Sequence, residues 1–177
     1  MDDFNGFFPI HSNWGNLGGA TGQHPQGLEG GNVNETNRVF NRYVGKVEAF
    51  RCPSDNGDAR WNGANPPVDN CYNAWGNSYS DQLNTRMQIQ RVTGSDMAGN
   101  KPMNEVEMTQ PTTKFVLADW IWHKDRAVNV LKNQWHNYAA EKRTVTLFGD
   151  GHVEFFKFPV AWFTWTTQPP DPANGFW

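Results

Sequence analysis

The chain has 177 residues and a net charge of −3, with no run of Lys or Arg. That excludes the basic stripe nucleic-acid binding needs and any pull toward anionic lipid, and no stretch approaches the ~20 apolar residues of a membrane span. The aromatic share is 14%, with nine Trp and twelve Phe, which excludes a disordered chain despite a mean hydropathy of −0.73, because aromatic burial offsets the entropy of ordering.

Residues 1–33 are rich in Gly and Asn after an aromatic start, Phe4-Asn5-Gly6-Phe7-Phe8-Pro9, and read as a docked, mostly irregular segment. Residues 34–44 carry Val39, Phe40, Tyr43 and Val44 at i, i+1, i+4 and i+5. That predicts a short helix with Asn34 as N-cap and Gly45 as stop. Val47 to Arg51 reads as a short strand ended by Cys52-Pro53, and residues 53–77 as a loop. Ser78-Tyr79-Ser80 is a further strand candidate. Met87 to Val92 alternates with period two, as a half-buried strand does, and residues 93–104 return to loop. Lys114 to Asp119 is an apolar run after Pro111 and predicts a buried strand.

The sharpest local pattern is Thr144 to Phe156, two alternating runs around Asp150-Gly151. Asp-Gly favours a two-residue type I′ turn, so a β-hairpin is predicted, with Val145 and Leu147 on one face with Val153 and Phe155. The tail, Ala161 to Trp177, is aromatic and Pro-rich and is expected to lie over the surface. No internal repeat or linker divides the chain. The expectation is one α+β domain over residues 1–177, built on an antiparallel sheet with a short helix, long loops and a C-terminal hairpin.

Cys52 and Cys71 are the two cysteines. A bond between them would close a loop of roughly 20 residues and contribute about 3 kcal/mol in the chain-entropy model. The intervening segment has little apolar content, so a disulfide is expected, and with it an oxidising compartment. Two unrelated thiols are the alternative.

Four pieces occur in order: Asp3-Phe4-Asn5-Gly6-Phe7-Phe8-Pro9; Phe50-Arg51-Cys52-Pro53-Ser54-Asp55; Ser78-Tyr79-Ser80 with Asn84; and Val116-Leu117-Ala118-Asp119, followed by His136 and Phe148-Gly149-Asp150-Gly151-His152-Val153. Together they resemble the bacterial pseudopilin-like (prepilin-type) proteins with a C-terminal His-x9-Asp-Gly motif. Two departures stand out. Thirteen residues separate His136 from Asp150, which implies an insertion near Ala139–Arg143, and the family's long hydrophobic N-terminal helix is not in this sequence. The resemblance therefore implies a pilin-like head domain from which that helix has been cut. It implies a structural subunit, not an enzyme, of a type II secretion or type IV pilus-like assembly. Its partners would be other pilin-like subunits, with no nucleic acid. The fragment itself would not touch the membrane, anchoring would come through the helix, and the head would be displayed in the periplasm or outside the cell. In pilin folds the sheet packs on that helix, so its removal is expected to bare an apolar face that either self-associates or is covered by residues 1–33 and the tail.

Asp119, His123, His136, Asp150 and His152 include metal-ligating and acid–base residue types. Asp150 is accounted for by the turn, Asp119 by backbone N–H bonds at a strand end, and His152 by exposure beside the turn. His136, Asp119, Asp150 and Gly151 are thus read first as structural motif residues, with no catalytic residue and no cofactor expected. Asp55 and Asp58 offer oxygens for calcium, but EF-hand spacing is missing and an Asx turn at Asp55 is the simpler reading. Trp120 and Trp122, at i and i+2, would be co-facial on a strand and so could stack on a sugar ring. Two other functions stay open: a secreted carbohydrate- or surface-binding module using those Trp, and a metal-assisted hydrolase using Asp119, His136 and Asp150.

Overall fold

A computed structural model describes residues 2–24, 30–59, 67–82, 92–95, 101–123, 126–136 and 141–159. The tail from 161 onward falls outside them, as does the strand expected at 87–92 except for Val92. Of the insertion near 139–143, residues 139 and 140 fall outside, and 141–143 lead into and begin a strand.

The domain is built on a small antiparallel sheet of four strands, ordered β2 (Tyr79–Asp81), β4 (Phe115–Asp119), β5 (Arg143–Phe148) and β6 (Val153–Lys157). A two-residue parallel pair, β1 (Ile10–His11) with β3 (Gly94–Ser95), lies apart from it. The only α-helix among the described residues is α1 (Cys71–Trp75). Six short 3₁₀ turns of the described chain connect these elements between residues 35 and 133.

The register assigns each strand's two faces. Leu117 pairs with Leu147 and Leu147 with Val153; Tyr79 pairs with Asp119, and Val145 with Phe155. Paired residues share a face, so Tyr79, Leu117, Asp119, Val145, Leu147, Val153 and Phe155 line one side. Ser80, Ala118, Thr144, Thr146 and Phe156 line the other, which is buried. On that side Phe115, Ala118, Trp122, Phe148, Phe156 and Phe158 form one core cluster. The two buried threonines of β5 are satisfied mutually, with Oγ1 atoms 3.0 Å apart. A second cluster, with Cys52, Val68, Cys71, Trp75, Trp120, Ile121 and Trp135, packs against Tyr79.

The hairpin joins β5 and β6 as expected, and Val145, Leu147, Val153 and Phe155 share a face. The turn is different. Gly151 N–H donates to Phe148 O at 3.0 Å, and Phe148 N–H donates to His152 O at 3.0 Å, which leaves three loop residues. Gly151 alone takes positive φ, +90°. This is the turn-plus-bulge closure, available because Gly follows Asp150 and only one residue needs the left-handed region.

Three local expectations are corrected. Residues 34–44 form two 3₁₀ turns, Glu35–Asn37 and Asn41–Tyr43, and not one helix. Asn34 does cap the first, accepting from Thr36 N–H. The reason is Arg38, which turns inward. Its guanidinium donates to the carbonyls of Gly15, Gly18, Gly30 and Trp75, organising the Gly-rich loops, while Tyr43 stays exposed. Val47–Phe50 is a 3₁₀ turn, not a strand. The loop expected over 53–77 contains α1, capped by Asn70 and stopped by Gly76 at φ +82°.

Candidate metal centre

Cys52 and Cys71 are both buried and both free thiols, so the expected disulfide is not formed. The loop it would have closed is held without it. Asp58 and Val68 exchange two backbone bonds of 3.1 and 3.0 Å across the loop. Asp55 then ties the near end to α1. Its Oδ1 accepts from Gly57 and Cys71 N–H, and its Oδ2 accepts from Tyr72 N–H and the Ser78 hydroxyl. The Asx turn expected at Asp55 is present, and the same carboxylate caps a helix 16 residues away. Asp58 is committed too. Its Oδ2 accepts from Trp120 Nε1 at 2.7 Å and pairs with buried Arg126 at 2.6 Å. Both oxygens of Asp55 and Oδ2 of Asp58 are thus engaged by the protein itself.

Cys52 faces elsewhere. Its Sγ lies 3.1 Å from His136 Nε2, and the same ring nitrogen lies 3.6 Å from Asp119 Oδ2. The three donor atoms all fall within 4.8 Å of one another. Three distant segments supply them: the turn after Val47–Phe50, the last residue of β4, and the stretch after the 3₁₀ turn Leu131–Asn133. Asp119 is wholly buried, at 0% exposure, while the His136 side chain keeps 24%. Asp119 Oδ2 also accepts from Val145 N–H at 2.8 Å, the backbone bond expected of a strand-end carboxylate. Its Oδ1 has no hydrogen-bond partner. Phe155 packs edge-on against the His136 ring and Tyr79 lies beside the thiol, so the cluster sits on the same sheet face as Val145 and Leu147.

Comparison of the chain with protein-family models, curated proteins and solved structures finds no match.

The electrostatics follow from burial. Removal from water pushes the Cys52 thiol up to about 12, helped by the charge of Asp119. Burial likewise lifts Asp119 to about 7, against the lowering effect of the Val145 N–H bond and the Cys52 thiol. Burial lowers His136. A relay of the cysteine-protease kind needs nucleophile and carboxylate on opposite ring nitrogens of the histidine. Here both approach Nε2, a convergent arrangement instead of a linear one.

The structure brings together two of the residues singled out from sequence, Asp119 and His136, and leaves out Asp150. Asp150 accepts from His152 N–H and lies 2.6 Å from its Nδ1, at the exposed hairpin turn. The set Asp119, His136 and Asp150 is therefore not one site. His123 packs edge-on against Trp14 and Trp122. Trp120 and Trp122 lie in a 3₁₀ turn and not on a strand, and both are buried. Trp120 stacks on Trp75 at 4.8 Å, whereas Trp122 meets Phe115 edge-on at 4.6 Å, so they offer no co-facial platform for a sugar. A third His–Asp pair has no counterpart in the sequence reading. His11 Nε2 lies 3.0 Å from Asp81 Oδ2 and 3.1 Å from Thr93 Oγ1, and Nδ1 lies 3.0 Å from Asn16 Oδ1. All four residues are buried, and the network ties β1 to β2.

Proposed function

We propose that this domain is an assembly subunit of pilin-like type that acts by packing against other polypeptide through the apolar face of its sheet. The observation that carries this reading is the composition of that face at β5 and β6. Val145 and Leu147 are half-buried, Val153 is 61% exposed and Phe155 43%. Natural sheets place polar residues on a solvent face, so an open row of Val, Leu and Phe marks a surface built to be covered. Next to Leu147 a groove is lined by Phe4, Phe8, Pro9, Phe40 and Tyr43. The N-terminal segment borders this groove, and Val153 and Phe155 on β6 stay exposed.

The ordered sequence motifs support a pseudopilin-like head, with other pilin-like subunits as partners and anchoring through a hydrophobic helix ahead of this segment. Periplasmic or surface display follows from that resemblance. A disulfide lends no support to it, because both thiols are free.

Sedimentation across a concentration series tests the reading. Wild-type protein is expected to self-associate, and Val153→Asp to become monomeric with stability changed by no more than about 0.5 kcal/mol, as for an exposed site. Wild-type protein that stays monomeric at every concentration, or association that persists unchanged in Val153→Asp, would overturn it.

A further inference from the structure

We propose that Cys52, Asp119 and His136 bind one divalent transition-metal ion of the zinc class, which clamps the 52–55 turn and the 131–136 segment onto the end of β4. Three observations carry this. The first is geometric. Metal–donor bonds of about 2.0–2.3 Å at tetrahedral angles place neighbouring donors about 3.3–3.6 Å apart. The cluster already holds Sγ and Nε2 at 3.1 Å and Nε2 and Oδ2 at 3.6 Å. The third pair, Sγ and the Asp119 oxygen, lies within 4.8 Å, so small adjustments of these side chains would admit the ion.

The second is the lone oxygen. Asp119 Oδ1 is buried without a partner, and the nitrogen base of the described residues within ion-pair distance of this carboxylate is a half-buried histidine. An unsatisfied carboxylate oxygen in a dry site is costly, and buried charge persists where it is paired or coordinates a metal. The third is the donor set. A thiolate, a carboxylate and a neutral imidazole carry two negative charges, which a divalent ion neutralises. Sulfur and imidazole nitrogen select zinc-class ions over calcium or magnesium. On binding, the ion replaces the thiol proton of Cys52, which passes to solvent past the exposed edge of His136. Three protein donors leave the fourth tetrahedral position to water or to the Tyr79 hydroxyl.

The inference is independent of the assembly reading, since it concerns the covered end of the sheet face and its test reads no association. The full chain, purified without chelator, is analysed for bound metal, then stripped and titrated with Co²⁺ while its absorption spectrum is recorded. About one zinc per chain is expected, with a strong thiolate-to-cobalt charge-transfer band in the near ultraviolet and tetrahedral visible bands. Cys52→Ser abolishes the charge-transfer band. Asp119→Asn and His136→Gln weaken Co²⁺ binding by more than about 100-fold, because loss of even an outer-shell partner costs about 10- to 100-fold. Cys71→Ser leaves the spectrum unchanged. If a ligand variant does not fold, the wild-type spectrum and Cys71→Ser decide. A wild-type protein without stoichiometric metal and without the charge-transfer band overturns the proposal. So does a band that disappears in Cys71→Ser, or a native mass showing Cys52 bonded to Cys71.

Discussion

His11 shows how a single buried group sets the pH response. Burial opposes its charged form, but the Asp81 carboxylate beside Nε2, together with hydrogen bonds to Asp81, Asn16 and the Asn13 carbonyl, outweighs it and raises the ring above its ordinary 6.5. A base whose folded pKa is raised contributes stability that is fully present below the unfolded pKa. That contribution is lost as pH climbs through the folded value. Wild-type protein should therefore lose stability as pH rises from about 6.5 toward the folded pKa and level off above it. His11→Gln should start lower and show little of that slope. Urea midpoints measured across this range decide the matter: parallel curves for the two proteins would mean that His11 and Asp81 exchange no proton-linked energy. The loss should be local at first, since the pair ties β1, and with it the N-terminal segment, to β2.

Among the connecting elements, two glycines with nearly the same backbone should respond very differently to a methyl group. Gly151 closes the hairpin at φ +90°, and a Cβ there would meet nothing within 4 Å. Gly76 ends α1 at φ +82°, but its Cβ would sit 1.8 Å from the Ala20 carbonyl oxygen, in the loops that Arg38 organises. Gly151→Ala should cost only the left-handed strain, about 1–2 kcal/mol. Gly76→Ala should add overpacking against backbone and cost about 3 kcal/mol or more. Equal losses by chemical denaturation would contradict the close approach at Gly76. These elements also show what the sequence could carry. The hairpin was legible because period-two alternation and the Asp-Gly pair are local, and the strand at 115–119 because a short apolar run after Pro111 is local too. The exact turn was not, since Gly149-Asp150-Gly151 permits more than one closure. Helix α1 has a start signal, Asn70, and a stop signal, Gly76, but five residues are too few to show a 3.6-residue period. At the candidate metal centre, Asp119 and His136 stood out by residue type. Cys52 was drawn to Cys71 by their nearness in sequence, because nothing local to the 52–55 turn announces a histidine 84 residues away.

For the molecule as a whole, Trp120-Ile121-Trp122 is the joint between the two cores. Trp120 and Ile121 belong to the cluster that holds Cys52, Cys71 and Trp75, and Trp122 belongs to the one behind the sheet. Each indole is also anchored by its N–H: Trp120 donates to Asp58 at 2.7 Å and Trp122 to the Ser80 hydroxyl at 2.6 Å. Trp14 packs against both clusters, so apolar contact runs from one to the other. A 3₁₀ turn of three residues cannot let one core loosen while the other stays fixed, because both side chains hang from the same short piece of backbone. Trp120→Ala and Trp122→Ala should each cost about 3–5 kcal/mol, a large part of the roughly 5–15 kcal/mol that holds a domain together. Each should shift one common transition, with far- and near-ultraviolet circular dichroism changing together on denaturation. A second, separate transition in Trp122→Ala would show instead that the Trp75 cluster folds without the sheet, and that the domain is two cooperative units joined at Ile121.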